Sequence, residues 1–302
     1  MQLYHKSAYF IRSLFVLFVI IIIKSLLPSC TFSEKDQSAF SSWQEAQAKG
    51  KGTLKALYVP AEGFAYKDNE GNLTGVTVEL LRGFSKFVYN KYDVELDICF
   101  AEEQDWSVFY RRVAEGSDGL IGFGNVTITQ ERRVELGFSP SYMTNIACLI
   151  THKKMPELNS FEEIAEKFNS MTALAFAGTL HEERLKKIVS KYFPEASVKN
   201  AHSNEEILKR VAADDGYFAY IDLYNFQRAV DRGKPLKRHK TADEAAEQFG
   251  YIMPLSTTWE EVINEYFEYD GGLTNSAFYK DIMTEHLGKD LAKVLIEANA
   301  GL

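Results

Sequence analysis

The segment GFGNVTITQERRVELGFSPSY, Gly122 to Tyr142, decides how this chain is read. It begins as the end of an apolar strand, Leu120 to Phe123, and passes through a Gly- and Thr-rich turn. A short charged segment carries Arg132 and Arg133, and Phe138-Ser139-Pro140 closes it with a strand-breaking corner. Glycine lets backbone come close to a bound group because it has no Cβ. Threonine hydroxyls and a fixed guanidinium supply the donors that an anion needs. Taken alone, the segment reads equally well as a strand, a turn and a solvated helix, with Arg132 a solvated charge. Its surroundings separate the two readings.

Outward from this segment, strands alternate with helices. Before it, Leu54 to Val59 is a strand ended by Pro60, and Asp68 to Asn72 is a turn. Val76 to Tyr89 carries apolar residues at helical spacing, Val94 to Phe100 is a strand, and Trp106 to Ala114 is a helix. After it, Asn145 to Thr151 is a strand, and Lys153 to Pro156 is a hinge or crossover. Phe161 to Phe168 is a helix, Thr172 to Phe176 a strand, and Leu180 to Tyr192 a helix. Val198 begins a short strand, and Ser203 with Glu206 forms a capping-box pattern for Asn204 to Ala213. Tyr217 to Ile221 is a strand and Asp222 to Val230 a helix. Residues 231–247 are charged and receive no element, Phe249 to Met253 is a strand ended by Pro254, and Trp259 to Tyr269, Ser276 to His286 and Asp290 to Ala298 are closing helices. This order predicts an α/β chain of two lobes, each a mainly parallel sheet flanked by helices, with crossings near 152 and 249. The lobes are 53–151 with 250–302, and 152–249.

Ligands of α/β lobes lie at the carboxyl ends of strands. Three places qualify: Gly124 to Arg132, Ala177-Gly178-Thr179 at a helix start, and Asp222 after the strand at 217. A helix N-terminus offers free N–H groups and a favourable dipole to a carboxylate. Thr179 and Asp222 also read as ordinary helix caps.

Composition narrows the class of protein. Hydrophobic residues make up 46% of the chain and aromatics 13%, ample for a large core, and the net charge of −8 argues against a nucleic-acid partner. Six scattered histidines and the absence of a Cys/His cluster point to no metal and no cofactor. Cys99 and Cys148 sit in apolar, strand-like runs and read as buried free thiols, although spacing alone leaves a disulfide open. At the N-terminus, His5, Lys6 and Arg12 precede the ten apolar residues Leu14 to Ile23, too short a run for a comfortable membrane span and suited to a signal peptide over 1–29. Leu27-Pro28-Ser29-Cys30 resembles a bacterial lipobox, which implies cleavage before Cys30 and lipid on its sulfur. Residues 30–52 are polar and read as a tether from the membrane.

Together these pieces resemble the amino-acid-type (family 3) solute-binding proteins of ABC importers, over about Leu54 to Gly288. Thr127-Ile128-Thr129-Gln130-Glu131-Arg132 is similar to that family's Thr-Ile-Thr-Pro-Glu-Arg, and Phe138-Ser139-Pro140-Ser141-Tyr142 to its Phe-Ser-x-Pro-Tyr. Asp68 to Glu79, Ala177-Gly178-Thr179 and Phe278 to Ile282 follow in the family's order. The resemblance implies a type II periplasmic-binding-protein clamshell that closes on an amino acid or similar carboxylated solute and delivers it to a permease. Arg132 would pair with the α-carboxylate, helped by Thr127 and by the Gly178-Thr179 helix start. Asp222 would accept from the α-ammonium, Phe64 and Tyr66 would cover the side chain, and Asn125 would add a polar contact. Gln130 replaces the family's Pro, Leu180 stands where a second hydroxyl often lies, and Glu62-Gly63 precedes Phe64, so Glu62 is a candidate for a basic ligand group. The expected protein is a monomeric, membrane-anchored lipoprotein outside the cytoplasm and not an enzyme. Two alternatives on the same fold are a cyclohexadienyl-dehydratase-like enzyme and a ligand-sensing module.

Overall fold

A computed structural model describes residues 40–300. Helix α1 (Trp43–Lys49) opens it, with a complete capping box between Ser42 and Glu45, and Gly50 turns the chain into strand β1 (Lys51–Tyr58). β2 (Tyr66–Lys67) and β3 (Leu73–Thr74) form a small separate ribbon ahead of helix α2 (Val76–Tyr92). β4 (Glu95–Glu102), α3 (Trp106–Ala114), β5 (Leu120–Thr127) and β6 (Leu136–Phe138) follow. Strand β1 lies between β4 and β5 and pairs with both in parallel.

The ten-residue β7 (Met143–His152) then leaves this half of the molecule. Beyond it come α4 (Ile164–Lys167), β8 (Thr172–Phe176), α5 (Leu180–Tyr192) and β9 (Val198–Ala201). They are followed by α6 (Asn204–Ala213), β10 (Tyr217–Asp222) and α7 (Leu223–Asp231). Strand β8 pairs in parallel with β9 and β10. The chain returns along β11 (Leu236–Pro254) and ends in α8 (Glu260–Glu268), α9 (Ala277–Leu287) and α10 (Lys289–Ala300).

Strand β11 is what unites the two halves. It runs antiparallel to β7 from Leu236 opposite His152 to Phe249 opposite Met143, and then continues against β5 and β6. One sheet, ordered β4-β1-β5-β11-β7-β10-β8-β9 with β6 attached to β11, therefore passes through both lobes. The sequence left residues 231–247 without an element because KRHKTADEAAEQ shows no alternation. The register shifts between His239 and Glu244 and between Ala245 and Glu247 supply the reason, since each resets which face a side chain points to. Local ion pairs absorb the charge. Arg238 holds Asp243 through two bonds, at 2.8 and 2.5 Å, across the first irregularity.

Buried side chains gather on both faces of the sheet in each half. Leu54, Phe84, Phe123, Tyr251 and Trp259 belong to one cluster, with Phe109, Val126 and Ile252 on the opposite face. Phe168, Leu185 and Phe218 pack in the other half, with Ile150, Ile207 and Ile221 behind them. Residues 40–52, expected to belong to a tether, pack on the folded body. Ala46 on α1 is fully buried, Trp43 packs 5.2 Å from Trp259, and Ser41 bonds to Thr53, so the folded body begins before α1. The expected helix over Phe161 to Phe168 is a 3₁₀ turn (Phe161–Glu163) followed by the single turn of α4. Cys99 and Cys148 are both buried, and no disulfide joins them. The signal segment and Cys30 lie outside the described residues.

Candidate functional site

A cleft of about 780 Å³ opens between the two halves. One wall is built from the end of β1, the start of α3, and the β5–Arg132 segment. The other is built from the N-terminal turns of α5, α6 and α7, the helices that leave strands β8, β9 and β10. Parallel strands aim these helix starts at the cleft, and with them the positive ends of three helix dipoles.

Arg132 begins a 3₁₀ turn whose entry is fixed by its own N–H donating to Thr129 Oγ1 at 3.2 Å. Its Nη1 donates to the Thr127 carbonyl at 3.0 Å, and its guanidinium lies 5.6 Å from the Tyr110 ring. Burial lowers its pKa, against the pull of Tyr110 and more distant carboxylates. Among the described residues no carboxylate stands within ion-pair distance of it. A half-buried guanidinium held by a carbonyl and a ring, with donors to spare, suits an anionic partner. Thr127 lines the cleft beside it.

Asp222 closes β10 and begins α7. Its Oδ1 accepts from Asn145 Nδ2 at 2.6 Å and meets His181 Nε2 at 3.0 Å. Among the described residues its Oδ2 has only Asn225 Nδ2, at 3.5 Å. One carboxylate oxygen is thus fixed by the protein, and the other keeps lone pairs for a donor in the cleft.

The remaining candidates divide. Glu62, Asn125 and Thr179 line the cleft, whereas Gly178, Phe64 and Tyr66 do not. Glu62 is taken by Arg232 and lies 3.5 Å from Arg228, so its charge ties the two walls together. Asn125 sits at φ +56, and its amide is spent between Tyr224, to which it donates at 2.8 Å, and Tyr142, from which it accepts at 2.9 Å. Thr179 gives both its N–H and its hydroxyl to the Phe176 carbonyl, and the Gly178 N–H goes to Glu182 Oε2 at 2.7 Å. Among the described residues, the N–H groups left open at this helix start are those of Leu180 and His181, two residues later than the sequence suggested.

Phe64 is 1% exposed and packs edge-on against Tyr224 at 4.7 Å. The Ala61–Ala65 turn and the bond from Thr77 Oγ1 to the Phe64 carbonyl, 2.6 Å, draw it inward. Burying a phenyl group contributes about 1.5–3 kcal/mol, which a place on an open cleft wall forgoes. Tyr66 points away to His286, where its hydroxyl meets Nδ1 at 3.1 Å. Trp106, Phe176, Tyr224 and Phe249 supply the aromatic surface of the cleft instead. Sequence reasoning also missed His181 and Arg228. A histidine in the first turn of a helix, where a cation is disfavoured, was the available signal for His181.

No protein-family model matches the sequence, and no curated protein matches it. Solved structures do share its fold. An ancestral arginine-binding protein bound to arginine is 17% identical, with a TM-score of 0.64 over 78% of this chain and 98% of that one. A substrate-binding protein of an ABC uptake transporter from Streptococcus pneumoniae, with bound histidine, is 19% identical, with a TM-score of 0.63 over 82% and 96%. The ancestral amino-acid-binding protein AncCDT-1, a precursor of cyclohexadienyl dehydratase, is 16% identical, with a TM-score of 0.63 over 81% and 98%. The chain has the two-lobed α/β fold of the type II periplasmic binding proteins.

Proposed function

We propose that this protein is an extracytoplasmic solute-binding lipoprotein of the amino-acid type. Its lobes, 53–151 with 250–302 and 152–249, close on an amino acid or a similar small carboxylated solute for an ABC permease, and Cys30 carries the membrane anchor. One observation carries the reading: Arg132, without a carboxylate partner among the described residues, and Asp222, with an open Oδ2, line the same cleft. A zwitterion entering a closed cleft loses the hydration of both charges, and each then needs a counter-charge. Arg132 takes the carboxylate, with Thr127 and the Leu180 and His181 N–H groups beside it, and Asp222 Oδ2 takes the ammonium. Trp106 and Phe176 present apolar surface to the remainder.

A dehydratase reading requires an acid or base free to reach its substrate. Glu62 is bound to Arg232 and both ring nitrogens of His181 are engaged within the protein, so of these groups Asp222 Oδ2 alone is open to a substrate, one group where an elimination needs both an acid and a base, and capture is the better-supported activity.

A thermal-shift panel of amino acids and analogues on the mature chain tests this, with prephenate turnover measured alongside. At least one panel member should raise the melting temperature, and Arg132→Ala should abolish the shift. Losing one buried partner of a charge costs about 2–5 kcal/mol, while a micromolar site holds only about 8 kcal/mol in all. Silence across the panel, or the same shift in Arg132→Ala, would sink the reading.

A further inference from the structure

A closed ring of hydrogen bonds lies behind Asp222, and simple capture does not require it. Asn145 Nδ2 donates to Asp222 Oδ1 at 2.6 Å and to Glu247 Oε2 at 2.9 Å. Arg184 donates through Nη2 to Glu247 Oε1 and through Nη1 to His181 Nδ1, the latter at 3.0 Å. His181 Nε2 returns to Asp222 Oδ1 at 3.0 Å and closes the ring. Asn145 and Glu247 are cross-strand partners on β7 and β11, Asp222 ends β10, and His181 and Arg184 share the start of α5. Asn145, His181, Asp222 and Glu247 are all buried.

The ring fixes a tautomer. A guanidinium has donors only, so His181 Nδ1 must accept from Arg184, and the imidazole proton lies on Nε2, donating to Asp222. A second proton would sit on Nδ1, facing Arg184 donor to donor. It would also place an imidazolium against the carboxylate that is meant for the solute's ammonium.

We propose that His181 is a positioning residue that holds Asp222 with Oδ2 toward the cleft, and that a proton on its Nδ1 opens the ring and weakens capture of a zwitterion in acid. The proposal rests on the amino-acid reading of the cleft. The groups facing the imidazole are Asp222 from β10, Glu247 from β11 and Arg184 from its own helix, while β7 contributes the uncharged Asn145. Burial lowers the His181 pKa, Asp222 and Glu247 raise it by more, Arg184 opposes them, and the net shift is upward. That direction brings the titration toward neutral pH.

The probes are arginine and the amino acids with uncharged side chains, none of which titrates between pH 5 and 8. Affinity of the wild-type protein for those that bind should fall about tenfold from pH 8 to pH 5, as the carboxylate's charge is offset. His181→Gln can donate to Asp222 and accept from Arg184 without titrating. Its affinity, whatever its value at pH 8, should no longer change between pH 8 and pH 5, an outcome that a merely structural role would not produce. A flat wild-type profile, or a slope retained in His181→Gln, overturns the proposal. Nitrogen-15 spectra of the wild-type imidazole give a second arm that needs no solute: an Nε2–H tautomer at pH 8 supports the ring, and an Nδ1–H tautomer overturns it. Failure of every amino acid at every pH would sink the amino-acid reading and the switch together, whereas binding without a slope sinks the switch alone.

Discussion

His239 shows what burial does to a single titratable residue in this chain. It is fully buried, accepts the Leu158 N–H at Nδ1 (3.1 Å), and meets the Thr151 hydroxyl at Nε2 (2.8 Å). Desolvation, reinforced by Lys237 and Lys167, lowers its pKa from 6.5 to about 4. The unfolded chain therefore takes up this proton near pH 6.5, while the folded chain resists until about pH 4. The neutral imidazole contributes stability above pH 6.5 that is lost as pH falls through 4, about 3 kcal/mol in all. His181, whose pKa is raised, acts in the opposite sense, so a variant isolates the effect. In urea melts, His239→Gln should lose about 3 kcal/mol less than the wild type between pH 7 and pH 4; equal losses would refute the assignment. At this scale the sequence was legible where backbone position decides the outcome. Arg132, Thr127, Thr179 and Asp222 follow strand ends, and they line the cleft. It was not legible where side-chain direction decides. Phe64 belongs to the core because its loop folds back on Thr77, and Asn125 is consumed by two tyrosines that lie 17 and 99 residues away.

Among the elements, β7 and β9 stand at opposite ends of stability. Nine of the ten β7 residues are buried, and the strand is paired on both sides, by β11 and β10. Among the described residues strand β9 pairs only with β8, and its burial pattern is three exposed residues and one buried. Hydrogen exchange of a core strand follows global unfolding, whereas an edge strand opens locally at lower cost. Amides of Ala147 to Ile150 should therefore exchange most slowly, and those of Val198 to Asn200 faster by at least tenfold in mass-spectrometric exchange; comparable rates would contradict this ordering. The same contrast explains which elements could be read in advance. Helices α3, α5 and α6 match their expected bounds because each presents one apolar stripe and ends at a recognisable cap or turn. The part of strand β11 before Phe249 escaped notice because it is an antiparallel partner to β7 over a charged stretch, where Arg184 neutralises Glu244 and Glu247 from another element. Its strand identity is a property of the pairing and not of local composition.

For the whole molecule, the two sides of the cleft meet through Gly178, Tyr224 and Arg228. Gly178 faces Ser107 and Trp106, with no room for a side chain larger than its hydrogen without tight contact at 3.2 Å. Tyr224 reaches between Phe64 and Asn125. Arg228 lies over Gly63, bonds to the His286 carbonyl at 3.3 Å, and with Arg232 meets Glu62. The ion pairs here are half-exposed and contribute little individually, under about 1 kcal/mol each. A Cβ on Gly63 would overlap the Arg228 guanidinium, which reaches it from the other lobe, and would come within 2.6 Å of the Leu287 side chain in its own lobe. Gly63 also has φ +84, so alanine there adds backbone strain of about 1 kcal/mol that is independent of closure. Gly71 separates the two effects, because it has φ +85 and nothing within 4 Å of its Cβ position. Gly63→Ala should shift the population toward an open form, raising the radius of gyration in small-angle scattering and weakening solute binding about tenfold, the effect of roughly 1.4 kcal/mol against closure. Gly71→Ala should lower thermal stability by a similar backbone term and leave both the scattering and the affinity as in the wild type. Equal behaviour of the two variants would show that closure does not depend on the Arg228–Gly63 contact.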